Sequence, residues 1–336
     1  MSGVIFHIDP VSPVPRYQQI VRTVQEGVAS GQLRFNQPLP SLNELCAQLG
    51  LSRQTALSAY QELKSRGIIA ASPGKGYYVA SEEHKPQHKV FLLFDELNGF
   101  KQVLYQSFKD ALGEQGQVDI FFHHCNPKVF RTLVYDNLGS YTNYVIMPLA
   151  DMRTHELVGS LPADKLVILD VGREQYGQQF ASVCQHFEQD VYEGLLAGLD
   201  RIRHYRRLVL VFPDVVWNPT EIVTGFERFC RTHGVAYDVV KFLAARDIKK
   251  GEAYLVIEDT DLVHVVRAAR QADLLLGRDL GVIAFNDAPL KEVVAEGITT
   301  ISTDFAAMGR AAAGLVLGRQ RQHLDNPSTL IKRASL

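Results

Sequence analysis

Several polar side chains occur together on one face of a predicted helix that begins after Ser52, a residue type that caps helix N-termini. The opposite face carries small and apolar side chains at the helical spacing i, i+3, i+4 and i+7, and Gly67 ends the segment. The polar positions are Arg53, Gln54, Thr55 and Ser58. Guanidinium, amide and hydroxyl groups on an exposed helix face can hydrogen-bond to base edges and phosphates, so the pattern predicts nucleic-acid recognition.

A shorter helix precedes this one, and a hairpin follows it. Ser41 with Glu44 three residues later predicts a capping box, and Gly50 stops that helix. Two helices separated by three or four residues have the layout of a helix-turn-helix. After Gly67, two short apolar runs predict strands joined by the turn at 72–76, which contains Gly74 and Lys75. Such a wing places the lysine and bare backbone amides beside DNA phosphates.

Residues 15–80 resemble the winged-helix domain of the GntR family of bacterial repressors, through LPSLNELCAQLGLSRQTALSAYQELKSRGIIAASPGKGYYV. The resemblance implies dimeric binding to palindromic double-stranded operator DNA. It also implies phosphate and base contacts from the positions that match Ser41, Arg53, Gln54, Thr55, Gly74 and Lys75. Asn43 stands where the family often has Arg, which leaves one phosphate or guanine contact without its usual residue.

The pattern changes near Lys89, after a polar linker that we place at residues 81–88. Apolar runs of strand length then alternate with amphipathic stretches, which predicts parallel sheets covered by helices. The runs are KVFLLF, VDIFF, YVIMPL, KLVILD, RLVLVF, AYLVI and GVIAF. Because the alternation starts again near Arg207, we expect two similar lobes with a ligand in the cleft between them.

The last third of the chain, through GVIAFNDAPLKEVVAEGITTISTDFAAMGRAAAGLVL and STLIKRAS, resembles the effector domain of the LacI family and of periplasmic sugar-binding proteins. The resemblance implies that residues just past the strand ends contact the ligand. Glu258 and Asp259 stand where the family has an Asn-Asp pair, and either Asn286 or Asp287 takes the place of its ligand-binding Asp.

The candidate effector-binding residues share a position at or near the end of a predicted strand. They are Asp95, Glu96, Phe100, Arg173, Trp217, Glu258, Asp259 and Asn286. A monosaccharide or a derivative offers hydroxyl groups to carboxylates, amides and an arginine, and an apolar face to an aromatic ring. Three of the residues have other readings, because Phe100 also suits a helix core, Arg173 an interdomain salt bridge and Trp217 ordinary packing.

Composition and charge narrow the function classes. Residues 1–80 carry seven Lys and Arg against four Asp and Glu, whereas the whole chain has 35 against 37, so only the first segment suits phosphates. Four separated cysteines form neither a zinc pattern nor a disulfide framework, and no signal peptide or membrane span is evident. We therefore expect a cytoplasmic protein without a membrane partner, a metal or a cofactor.

The sequence thus predicts a multidomain fold, with a winged helix-turn-helix α+β domain at 1–80 and a two-lobed α/β domain, like periplasmic binding proteins, at 89–336. The predicted function is that of a homodimeric repressor released from its operator by a sugar. Alternatives are a regulator that needs a nucleobase or sugar-phosphate corepressor, a DNA-binding protein whose large domain only dimerises, and an enzyme. No GxSxG, GxxxxGK[ST] or HExxH motif supports the enzyme.

Overall fold

The computed structural model describes residues 6, 8–9, 12, 14–80, 88–149, 152–171, 179–213, 218–243, 248–318 and 321–336. Within these ranges the chain forms an N-terminal head with one hydrophobic core, and an N-lobe and a C-lobe that each have a core on both faces of their sheet. The two lobes each contain a six-stranded sheet.

The head is a three-helix unit with a two-stranded wing. Its elements are α1 (Arg16–Ala29), α2 (Leu42–Leu49), α3 (Arg53–Ser65), β1 (Ile69–Ser72) and β2 (Gly76–Val79). The predicted capping box of α2 is present, because Ser41 Oγ accepts from the Glu44 amide and Glu44 Oε2 accepts from the Ser41 amide. Ser52 Oγ accepts from the Thr55 amide and starts α3. The apolar faces of the helices bury Leu45 and Leu63 in one core.

The N-lobe sheet has the strand order β13-β7-β6-β5-β3-β4, and all of its pairings are parallel. Its strands are β3 (His88–Phe94), β4 (Gly116–Phe122), β5 (Asn143–Ile146), β6 (Leu166–Asp170), β7 (Ala181–Cys184) and β13 (His323–Asp325). Its helices are α4 (Gly99–Leu112), α5 (Pro127–Asp136), α6 (Met152–Gly159) and α12 (Phe305–Gly318). His88, which we placed in the linker, is the first residue of β3, because it pairs in register with Gly116 of β4.

The C-lobe sheet has the order β14-β12-β11-β10-β8-β9, and β14 is its one antiparallel strand. Its strands are β8 (Arg207–Val211), β9 (Tyr237–Val240), β10 (Glu252–Val256), β11 (Gly281–Phe285), β12 (Thr299–Thr303) and β14 (Ser328–Ile331). Its helices are α7 (Phe187–Ala197), α8 (Leu199–Ile202), α9 (Glu221–His233), α10 (Asp259–Gln271) and α11 (Pro289–Val293). The second sheet begins at Arg207, where the sequence pattern starts again.

The chain passes between the lobes at three places, and the three crossings are hydrogen-bonded to one another. The crossings are residues 184–187, 303–305 and 325–328. The Asn326 amide donates to the Cys184 carbonyl at 2.9 Å, and Asn326 Nδ2 donates to Thr303 Oγ1 at 2.6 Å. Three adjacent strand-like crossings form a hinge about which two lobes can close.

Candidate DNA-binding and effector sites

The N-terminal half of α3 presents the residues that the sequence assigns to DNA. Arg53 and Gln54 are exposed, whereas Thr55 and Ser58 are half-buried. The Thr55 hydroxyl lies 2.9 Å from Ser52 Oγ, so it belongs to the helix cap. The exposed end of the helix therefore offers one guanidinium and one amide to a groove.

The wing holds its lysine through contacts within the head. Gly74 has φ +78° and Gly76 has φ +73°, values that favour glycine and give the turn its shape. Lys75 Nζ donates to Asn36 Oδ1 at 3.0 Å and lies 4.0 Å from the centre of the Tyr78 ring. These contacts position the ammonium group beside the wing turn.

In the N-lobe, Asp95 and Glu96 directly follow β3. Asp95 Oδ1 forms an ion pair with Lys101, whose side chain on α4 is only 5% exposed. Glu96 is exposed, and its Oε1 accepts from Asn98 Nδ2 at 3.2 Å. Lys101 neutralises Asp95 and leaves Glu96 as the outer carboxylate at this strand end.

Phe100 is half-buried on α4 and stacks on Phe305 of α12, with ring centroids 4.6 Å apart. It also packs against the N-lobe core. One face of the ring is therefore occupied by the protein, as expected from its reading as a helix-core residue, and its use as a sugar platform stays a prediction.

Asp170 and Gln185 lie at the ends of β6 and β7, on the N-lobe side of the hinge. Asp170 is half-buried and has φ +71°, and Gln185 Nε2 donates to its Oδ1. Burial raises the pKa of Asp170, and the nearby Lys101 opposes that rise. Gln185 is 9% exposed, and its Oε1 has no hydrogen-bond partner among the described residues. This pair can accept and share hydrogen bonds with a ligand.

In the C-lobe, Asn286 follows β11 in the left-handed conformation, with φ +57°. Its backbone carbonyl accepts from Lys291 Nζ at 2.6 Å, and Lys291 also pairs with Asp259 at 2.8 Å. Within the described part of the chain, Asn286 Oδ1 is buried without a partner. An unpartnered amide oxygen at a strand end is a ready acceptor for a ligand hydroxyl.

The neighbouring Asp287 has a different role. Both of its carboxylate oxygens accept from Arg333, at 2.7 Å each, in a bidentate pair. Of the two residues that the sequence left open, Asn286 thus has the free acceptor, whereas Asp287 ties the β11 end to the C-terminal segment.

Glu258 directly precedes α10, two residues after the end of β10. Its Oε1 accepts from Asn218 Nδ2 at 3.4 Å. Burial raises the pKa of Glu258, and the negative charge of Glu96 on the other lobe raises it further. The lobes also meet at Gly99, where a methyl group would lie 3.1 Å from the Ala288 side chain. The two rows of strand ends therefore face each other across one cleft.

Two of the predicted residues, Arg173 and Trp217, lie outside the described residues. Four further residues at these strand ends were not predicted from the sequence: Lys101, Lys291, Asp170 and Gln185. The lysines follow strand-end residues by five or six positions, a spacing that places a side chain of the next helix over the strand end. Asp170 ends the quoted run KLVILD and could have been included on that ground.

Among the described residues, none of the helices is both long and apolar enough to cross a membrane. Nor do the described ranges bring together three His, Cys, Asp or Glu side chains that could hold a metal ion.

Comparison with known proteins identifies both parts of the chain. Residues 16–79 match the model of bacterial regulatory proteins of the gntR family, and residues 201–336 match a periplasmic binding protein-like domain. An arabinose metabolism transcriptional repressor of Geobacillus stearothermophilus is 30% identical, and the match covers 96% of each chain.

Other matches are partial or structural. The uncharacterized HTH-type transcriptional regulator YdcR of Escherichia coli is 43% identical over 70 residues, and the chain spans 15% of its length. A LacI family transcriptional regulator of Lactobacillus casei, solved with bound glucose, has a TM-score of 0.60 at 17% identity. That likeness covers 74% of this chain and 99% of the other and shows a shared fold. The chain belongs to the GntR family of bacterial transcription regulators, and its C-terminal part has the two-lobed fold of periplasmic binding proteins and LacI-type regulators.

Proposed function

We propose that the protein is a transcriptional repressor that binds operator DNA through its head and releases it when a sugar binds between the lobes. One observation carries the proposal. The same chain contains a winged helix with exposed Arg53 and Gln54 and a hinged cleft lined by hydrogen-bonding groups. The full-length similarity to an arabinose metabolism repressor supports this reading. The enzyme alternative is not favoured, because the relatives are transcription regulators.

The cleft suits a ligand rich in hydrogen-bond donors. Free acceptors at its edge include Asn286 Oδ1 and Gln185 Oε1, and the carboxyl groups of Glu96 and Glu258 face each other from opposite lobes. Sugar hydroxyls donate to such acceptors, whereas a phosphate brings negative charge to two carboxylates. This favours a neutral monosaccharide over the sugar-phosphate alternative. We propose Asp95, Phe100, Asp259, Arg173 and Trp217 as further members of the same site.

On the DNA side, we propose that Arg53 and Gln54 read base edges, and that the remaining candidates contact or position the backbone. The latter are Ser41, Thr55, Ser58, Gly74 and Lys75. We propose that the functional division of the chain separates the head at 1–80 from the two-lobed domain, which we predicted at 89–336 and whose first strand begins one residue earlier, at His88. We further propose that the protein acts in the cytoplasm, where its DNA lies.

We further propose a homodimer, because a palindromic operator matches a twofold protein. Exposed apolar side chains on two adjacent C-lobe helices support it. Leu290 and Val293 on α11 are 70% and 73% exposed, and Val263 on α10 is 54% exposed. The Lys291–Asp259 ion pair joins the same two helices. A second copy of this chain would cover the patch, and sedimentation equilibrium of Val293→Glu would then report a shift from dimer to monomer.

A thermal-shift screen of the purified chain tests the effector class. The panel contains L-arabinose, D-glucose, other monosaccharides, sugar phosphates and nucleobases. A ligand at about 100 times its Kd stabilises the folded state by about 2.7 kcal/mol. We expect a neutral sugar to raise Tm and the Glu258→Gln variant to respond less. A response to phosphates or nucleobases alone would overturn the proposed effector class.

A further inference from the structure

The C-terminal end of α3, the helix that carries Arg53 and Gln54, is buried against the N-lobe through a cluster of three charged side chains. Glu62 of α3 is 2% exposed. Its Oε1 accepts from Arg66 Nη2 at 2.7 Å and from Arg66 Nε at 3.1 Å. Its Oε2 accepts from Lys165 Nζ, which belongs to the N-lobe. The cluster of Glu62, Arg66 and Lys165 thus joins the head to the N-lobe through residues that are 103 apart in sequence.

The electrostatics of the cluster favour the docked position of the two domains. Burial alone raises the pKa of Glu62, but Lys165 and Arg66 lower it by more, so the net shift is downward and the carboxylate stays ionised. A second contact lies beside it, where Tyr17 of α1 donates to Asp164 Oδ2 at 3.3 Å. A buried carboxylate with a cation from each domain stabilises one relative position of the domains, because separating them removes one of its partners.

The N-lobe side of this contact is connected directly to the cleft. Lys165 is the residue before β6, and its carbonyl accepts from the Tyr144 amide of β5 at 2.7 Å. β6 is a buried interior strand of five residues, about 16 Å long, and it ends at Asp170, which bonds Gln185 of the hinge. One interior strand therefore has the contact with the head just before its first residue and the contact with the hinge at its last.

We propose that the cluster of Glu62, Arg66 and Lys165 fastens the head to the N-lobe as one rigid body. Closure of the lobes then moves the head through this contact. The far end of α3, with Arg53 and Gln54, stays exposed, so the docked head can still reach DNA. The regulatory meaning of the contact rests on the proposed function, whereas the docking itself does not.

Charge reversal at Lys165 tests the docking without DNA or effector. Lys165→Glu places two carboxylates together, while Glu62 keeps Arg66 inside the head, so both domains can still fold. Lys89→Glu is the matched control, because its partners Asp119 and Tyr141 lie within the N-lobe. Hydrogen exchange and small-angle X-ray scattering are measured on the full chain.

We expect Lys165→Glu to speed amide exchange at the end of α3 by about fivefold or more and to increase the radius of gyration, with no such change in Lys89→Glu. Unchanged protection and dimensions in Lys165→Glu would overturn the proposal. Lys165→Ala gives a milder second variant, for which we expect the same direction. Since no ligand is used, failure of the docking is separable from failure of the proposed repressor function.

Discussion

Lys291 Nζ donates a hydrogen bond of 2.6 Å to the carbonyl oxygen of Asn286. The contact places a buried ammonium group under the turn at which β11 ends, where Asn286 has a left-handed backbone. In the other lobe, Lys101 likewise contacts a strand end, because it forms an ion pair with Asp95 directly after β3. Each lobe therefore uses one buried lysine on the following helix to set the geometry of a strand end that faces the cleft.

Replacing Lys291 tests this arrangement. Lys291→Met leaves the Asn286 and Phe285 carbonyls without their donor, so we expect a loss of about 1–3 kcal/mol in the free energy of unfolding, measured by urea denaturation. Lys332→Met, at an ion pair with a 40% exposed lysine, is the control and should change stability by less than about 0.5 kcal/mol. Equal stability of the two variants would show that Lys291 does not hold the turn.

Two glycines of α12 are expected to respond oppositely to alanine. A methyl group at Gly309 would lie 2.4 Å from the Leu104 carbonyl of α4, whereas nothing lies within 4 Å of one at Gly314. We expect Gly309→Ala to lower stability by about 1–3 kcal/mol through the steric conflict. Gly314→Ala should raise it by about 0.5–1 kcal/mol, because alanine favours helix. A stabilising Gly309→Ala would contradict the close packing of α4 and α12.

The sequence predicted the elements whose signals are local. The capping box at Ser41, the wing and the seven quoted strands are all present, because caps, glycine turns and short apolar runs depend on neighbouring residues. None of the quoted runs corresponds to β7, β9, β12, β13 or β14. The shortest of these, β13, adds three residues to the N-lobe sheet and is defined by its pairing with β7 rather than by a local pattern. The predicted multidomain fold is confirmed.

The sequence selected Glu96, Glu258 and Asn286 by their position after predicted strands, and the structure places them after β3, β10 and β11, whereas their binding of an effector stays a prediction. The pairing of Asp287 with Arg333 joins residues 46 apart and has no local pattern. The Glu62–Lys165 contact could not be predicted from the sequence either. An amphipathic pattern shows that one face of a helix is buried, but it does not show whether that face packs against the same domain or another one.

Two variants of the head distinguish contacts with bases from contacts with phosphates. We expect Arg53→Ala to weaken specific binding by about 1–3 kcal/mol if the guanidinium makes a bidentate base contact, with a smaller effect on random DNA. Lys75→Ala should weaken all sequences alike and reduce the salt dependence. Fluorescence anisotropy on selected and random duplexes measures both, and equal losses for Arg53→Ala on the two would make it a phosphate contact.

Asp190 is expected to make stability depend on pH. Burial raises its pKa to about 6 from an ordinary 3.8, against the opposing hydrogen bond from the His186 amide. The folded state therefore binds the proton more tightly than the unfolded state. This contribution is fully present below about pH 4 and is lost as the pH rises through about 6.

Asp190→Asn mimics the protonated group and should raise stability at pH 8 by about 1–2 kcal/mol, with the gain shrinking between pH 6 and pH 4. Asp200→Asn is the control, because the pKa of Asp200 is shifted downward and removing its charge should lower stability at pH 8. Burial raises the pKa of Asp200, but the Arg201 amide and Lys332 lower it by more. Thermal unfolding at pH 4, 6 and 8 distinguishes them, and a pH-independent gain in Asp190→Asn would contradict the assignment.

The most direct test of the central claim is the affinity of the full chain for an operator selected from random duplexes, measured by anisotropy with and without the sugar that raises Tm. We predict that saturating sugar weakens specific binding at least about tenfold, which corresponds to a coupling free energy of about 1.4 kcal/mol. Affinity that stays the same or tightens with the bound sugar would contradict release by an inducer.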